Sequence, residues 1–199
     1  MCQIIILISR LIFCINGLVL ILSANWGKGL ALIGSGLLTF IPEVYTWLSK
    51  QKIPICARMW YVIFIVACQW LGTYLRFYDK FFWWDILLHF SSGFLLGYIG
   101  ILFVLCLDKK GVLMMQKAYS IIAIFAFGIA VGGAICWEIV EFSSDKLLGT
   151  FTQLGSLDDT MADLIYGTLS ALIFSAYTYY VLKKEKMSYV RKIIDVNKK

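Results

Sequence analysis

At 199 residues, 61% hydrophobic and only 15% charged, the chain is far more apolar than the roughly half-apolar, quarter-charged average of soluble proteins. That composition excludes an ordinary soluble domain and points to an all-α, polytopic integral membrane protein. The formal net charge of +6 does not indicate a nucleic-acid partner, because the basic residues lie mostly in short segments between apolar runs and at the C-terminal end, as membrane topology requires.

A helix needs about 20 mostly apolar residues to cross the hydrocarbon core of a bilayer. Six stretches meet or approach that requirement, at 4–22, 29–48, 59–75, 82–107, 118–142 and 158–182. The connections between them are short, with no Pro/Ser linker or charge block. The pattern therefore predicts a single six-helix transmembrane domain over 1–182, followed by a basic tail over 183–199. No internal repeat is evident, which disfavours an inverted-repeat transporter. A cleavage site after Ala24 would put bulky Leu22 where a signal peptidase needs a small residue, so the first helix is expected to stay in the mature protein. The six cysteines are scattered through apolar stretches without a CxxC pair and read as small hydrophobes rather than a disulfide framework.

Cytoplasmic loops are enriched in Lys and Arg. One side collects Lys50, Lys52 and Arg58, then Lys109, Lys110 and Lys117, then the basic residues from Lys183 to Lys199. The other side has Lys28, Arg76, Lys80 and Lys146. Both termini are thus expected in the cytoplasm of a bacterium, with the protein in the plasma (inner) membrane. Trp70, Tyr74, Tyr78, Trp83 and Trp84 cluster around the outer connection between the third and fourth helices and form an interfacial aromatic belt. The alternative for Trp83 and Trp84 is that they line a substrate entrance.

Small residues mark where membrane helices touch. Gly93 and Gly97, Gly128 and Gly132, and Gly167, Ala171 and Ser175 all recur at four-residue spacing, so helices four, five and six are expected to pack through these faces. The oligomeric state stays open, a homo-oligomer included.

With this orientation the polar residues concentrate at one depth, on the outer side. Asp85 and His89 are four apart and share a face of the fourth helix. Glu138, Glu141 and Asp145 follow i, i+3, i+7 spacing at the end of the fifth. The stretch 143–157 reads as an outer connection. Asp159 and Asp163 are four apart at the start of the sixth, where Ser156 and Asp159 also fit a capping box. Intramembrane carboxylates are costly enough to count as functional-site candidates, and so many of them around a single histidine need compensation by a cation, protons, basic partners or water. Arg76 is placed to pair with a carboxylate or, with Trp84, to contact substrate. An oxygen-rich donor set with one imidazole suits Mg, Mn, Ca or non-haem Fe better than a thiolate zinc site. No HExxH, paired ExxH or EF-hand loop is present. The candidate ligands are Asp85, His89, Glu138, Glu141, Asp159 and Asp163, with His89, Glu141 and Asp163 as candidate catalytic groups. Glu43 stands apart, in the cytoplasmic half of the second helix, and is expected to pair with Arg58 or to snorkel.

The segments FYDKFFWWDILLHFSSGFLLG (77–97), WEIVEF (137–142) and LDDTMADLIYGTLSAL (157–172) resemble the YjdF-type bacterial inner-membrane proteins, over roughly residues 30–182. A more distant similarity to VanZ-like proteins is confined to the acidic start of the last helix. The resemblance implies a membrane-embedded helical fold and the relevance of Asp85, His89, Glu138, Glu141, Asp159 and Asp163; it implies no particular reaction.

Three function classes fit these features. The first is a metal-assisted enzyme acting on a lipid or cell-envelope precursor at the outer surface. The second is a small cation- or proton-linked transporter or solute-binding membrane subunit, which would need polar groups through the full membrane thickness. The third is a structural or accessory membrane protein whose acidic helix ends dock a basic partner.

Overall fold

A computed structural model of the chain describes residues 1–108, 110–149, 152–153, 156–185, 190, 194 and 197. Among them there is no strand, and six helices are long and apolar enough to cross a membrane. The chain divides into two compact units, Met1–Trp84 and Asp85–Lys199.

In the first unit, α1 (Cys2–Leu22) runs without interruption, as expected of an apolar stretch without proline. It ends at Leu22, and Ala24 then turns the chain with a left-handed φ of 61°. The second span is broken into α2 (Trp26–Leu38) and α3 (Ile41–Ser49). Pro42 is the cause, because proline has no N–H to offer the carbonyl four residues back and its ring crowds that carbonyl. In a bilayer the freed carbonyls still need donors. The Tyr61 hydroxyl donates to the Leu38 carbonyl at 3.0 Å, and the Arg10 guanidinium donates to the Thr39 carbonyl at 2.9 Å.

Arg10 also holds Glu43 at 3.0 Å and lies 3.7 Å from the Phe40 ring centre. The expected Glu43–Arg58 pair is therefore replaced by an Arg10–Glu43 pair. Arg58 instead donates to the Ile53 carbonyl and the Thr46 hydroxyl. The sequence pattern missed this because Arg10 and Glu43 meet only once α1 and the broken second span pack side by side, where Gly17 and Gly29 bring their backbones together.

The third span begins as α4 (Ile55–Ile65) and continues as a π-helical segment, Val66–Tyr74. A single turn, α5 (Phe77–Lys80), follows Arg76, whose φ of 62° is left-handed. Phe77 and Trp84 pack edge to face at 5.0 Å, and Trp84 contacts Trp83 at 5.7 Å.

The second unit contains α6 (Trp83–Leu107, whose first two residues belong to the first unit), the single turn α7 (Val112–Met115), α8 (Tyr119–Leu148) and α9 (Leu157–Lys183). Asp108 caps α7 by accepting from the amides of Val112 and Leu113. Small residues let the three long helices approach. A Cβ added to Gly93 on α6 would lie 2.6 Å from the Gly167 carbonyl oxygen on α9, and one on Gly100 would lie 2.8 Å from Ala126 Cα on α8.

The face of α8 differs from expectation. Gly128 and Gly132 have no atom near enough to contact an added Cβ. The buried stripe is instead Ala126, Ala130 and Ala134, one helical turn apart. Helix α8 also runs six residues past 142, so Ser143, Asp145 and Lys146 lie on the helix rather than in a connection. Of the residues expected to form the basic tail, most fall outside the described residues; Val190 and Ile194 are described and are buried.

Candidate metal centre

The buried stripes of the second unit lead to one cluster. On α8 the four-residue step that buries Ala126, Ala130 and Ala134 reaches Glu138 next, and Glu138 is only 6% exposed. On α9 the step back from Ala171 through Gly167 reaches Asp163, 2% exposed. On α6, Gly93 is followed one turn earlier by His89, 7% exposed, and a further turn earlier by Asp85, which is half-buried. The close approach of the helices at their small residues thus carries these polar side chains into the same interior.

His89 sits at the centre. Its Nε2 lies 3.6 Å from Asp85 Oδ1 and 3.8 Å from Asp163 Oδ2, while its Nδ1 lies 3.8 Å from Glu138 Oε1. One donor atom each from Asp85, His89 and Asp163 can be chosen so that all lie within 4.8 Å of one another. Two carboxylate oxygens in this group, Asp163 Oδ2 and Glu138 Oε1, are buried without a hydrogen-bond partner. The other oxygen of Glu138 accepts from Gln153 Nε2 at 3.5 Å, and Gln153 also donates to the Thr160 hydroxyl at 3.0 Å.

Buried polar groups are normally satisfied, and a buried charge without compensation is among the more costly features a fold can carry. Among the described residues, His89 is the basic side chain within 4 Å of the carboxylates of Asp85, Glu138 and Asp163, and no Lys or Arg forms a pair with them. A divalent cation fits this arrangement. Donor distances of about 2.0–2.2 Å to a small cation space neighbouring donors by roughly 3 Å, against 3.6 Å from His89 to Asp85 and 3.8 Å from His89 to Asp163.

The remaining candidates make contacts of their own. Glu141 is one turn along α8 from Glu138, half-buried, and accepts from the Trp137 indole N–H at 2.8 Å. Asp159 is one turn before Asp163; its amide and that of Asp158 donate to Ser156 Oγ, so the expected helix cap is present. Asp145 ties down the turn after α8 by accepting from the Thr152 and Gln153 amides and the Thr152 hydroxyl. In the first unit, Arg76 pairs with Asp79 at 2.7 Å, Lys80 donates to the Leu75 carbonyl, and Trp84 is buried among aromatic rings. Sequence reasoning did not single out Gln153, because a glutamine in a polar connection carries no periodic signal; its role depends on the turn that Asp145 holds.

Residues 2–184 match the model of a family described as predicted membrane protein (DUF2238). An uncharacterised protein of Thermotoga maritima is similar, 32% identical over 140 residues that cover 70% of each chain. No solved structure matches the chain.

Proposed function

The chain belongs to the predicted membrane protein family (DUF2238), and from that premise we propose that it is a membrane-embedded, metal-assisted enzyme acting on a lipid or cell-envelope precursor. The observation that carries this reading is the group of Asp85, His89 and Asp163 donors, with Asp163 Oδ2 buried and unbonded beside them. These three residues would hold a divalent cation (Mg, Mn, Ca or Fe). Bound there, it would supply Lewis-acid chemistry towards an ester or phosphoryl group and would make a water more nucleophilic. Glu141, half-buried at the next turn of α8, is the proton acceptor, and Asp159 supplies a further carboxylate at the start of α9.

A one-sided site suits this chemistry better than a transport path. On the membrane-interior side of the cluster, α6 and α9 close against each other at Gly93 and Gly167, and the Ser170 and Ser175 hydroxyls are bonded to backbone carbonyls. Among the described residues of α9 beyond the cluster, Thr178 Oγ1 is the one buried side-chain oxygen left without a hydrogen bond, and a lone hydroxyl does not make a path for an ion. The distribution of basic residues supports a bacterial inner-membrane protein with both termini cytoplasmic, which puts the cluster at outer headgroup depth. Within the family, segments 77–97, 137–142 and 157–172 favour grouping with YjdF-type proteins, and VanZ-like proteins stand further off.

The test is to incubate purified protein and Mn2+ with a bacterial total lipid extract and to follow released headgroups by mass spectrometry. Release by the parent that Asp163→Asn and His89→Ala both lose supports the reading. Equal release by all three proteins, or by none, overturns it.

A further inference from the structure

The two nitrogens of His89 face different carboxylates, and this divides the cluster into ligands and support. Nε2 lies nearest Asp85 and Asp163, the two carboxylates grouped with His89 as possible ligands, whereas Nδ1 lies nearest Glu138. Glu138 enters from α8, while Asp85 and His89 come from α6 and Asp163 from α9. Its carboxylate is held from behind by Gln153, which donates to Oε2 and is itself anchored to Thr160. The other oxygen, Oε1, is left buried and unbonded towards the imidazole. Histidines that bind metals through one nitrogen commonly donate the other N–H to a carboxylate, which fixes ring orientation and tautomer.

We infer that Glu138 is a positioning residue that accepts the Nδ1–H of His89 and thereby presents Nε2 to a divalent cation held with Asp85 and Asp163. This rests on the metal reading above. Gln153 belongs to the same arrangement, because it fixes the Glu138 carboxylate and links the turn after α8 to the ring. Glu138 is accordingly not counted as a ligand, although its depth and spacing placed it among the candidate ligands.

The chain has a single histidine, so a sample labelled with 15N-histidine reports this ring alone. The probe is 113Cd2+ added to the full chain in detergent. The parent is expected to show 113Cd coupling on Nε2 and a bound proton on Nδ1. Glu138→Gln keeps an oxygen acceptor and is expected to retain that pattern. Glu138→Met fills similar space without an acceptor; it is expected to mix the two coordination modes and to weaken Cd2+ binding roughly 10- to 100-fold. Coupling on Nδ1 in the parent overturns the positioning role, and so does a folded Glu138→Met protein that matches the parent in both affinity and coupling. The parent spectrum decides the point even if Glu138→Met does not fold. A parent that takes up no Cd2+ overturns the metal reading and this inference together.

Discussion

The Gly167 carbonyl oxygen lies 2.6 Å from the point that a Cβ on Gly93 would occupy, so α6 and α9 touch backbone to backbone one turn from His89. Without a hydrophobic drive between helices in lipid, such contacts depend on close packing of small residues. Gly93→Ala is expected to destabilise the folded protein by about 1–3 kcal/mol, the range for overpacking, and to reduce cation binding by moving His89 relative to Asp163. Gly132→Ala, where an added Cβ meets nothing, is expected to stay within about 0.5 kcal/mol of the parent. Thermal unfolding in one detergent, with cation affinity measured in parallel, checks both.

Arg10 supports a different break. It donates to the freed Thr39 carbonyl, to the Thr39 hydroxyl and to Glu43. Arg10→Met removes all three bonds and leaves Glu43 uncompensated, so a loss on the order of 2–4 kcal/mol is expected. Glu43→Gln keeps an acceptor and should cost less. Because the pair lies in the first unit, cation affinity of the fraction that remains folded should match the parent; an Arg10→Met protein as stable as the parent would contradict the bracing role.

Cation binding should depend on pH with a definite sign. Carboxylate and imidazole donors bind metal only when deprotonated, so protons and the cation compete for Asp85, His89 and Asp163. Affinity is expected to rise with pH until all three are deprotonated and to fall on acidification. Mn2+ titrations followed by paramagnetic resonance across the acidic to neutral range measure this. In Asp163→Asn, which has one protonatable ligand fewer, the pH dependence should be shallower as well as the binding weaker.

The orientation has its own check. Reporter fusions after Lys199 are expected to read as cytoplasmic, and a cysteine placed at Thr152 in a background without native cysteines is expected to react with a reagent that cannot cross the membrane. An external reading at the C-terminus would reverse the sidedness and move the cluster to the cytoplasmic face.

Much of the architecture was legible because apolar length is a strong signal. All six spans appear where composition put them, apart from the break at Thr39–Phe40 and the extension of α8 through Leu148. That extension was hidden because Ser143, Asp145 and Lys146 look like loop residues by polarity, although a polar turn of helix is stable once it leaves the hydrocarbon region. The meeting of Asp85, His89, Glu138 and Asp163 was foreshadowed by their common depth. Their division of labour was not, since the direction of each imidazole nitrogen is a matter of packing between three helices. The choice of an alanine rather than a glycine face on α8 was equally invisible, because both sets recur every four residues. The Arg10–Glu43 pair joins residues 33 apart, which no local pattern connects.

The most direct test of the metal centre is elemental analysis of the purified protein. Parent protein prepared in detergent without chelator, then passed through a desalting column, is expected to carry close to one divalent metal ion per chain, with Asp163→Asn and His89→Ala each losing most of it. Parent protein with no bound metal after exposure to Mg2+, Mn2+, Ca2+ and Fe2+, or variants that retain the parent's metal content, would contradict the account.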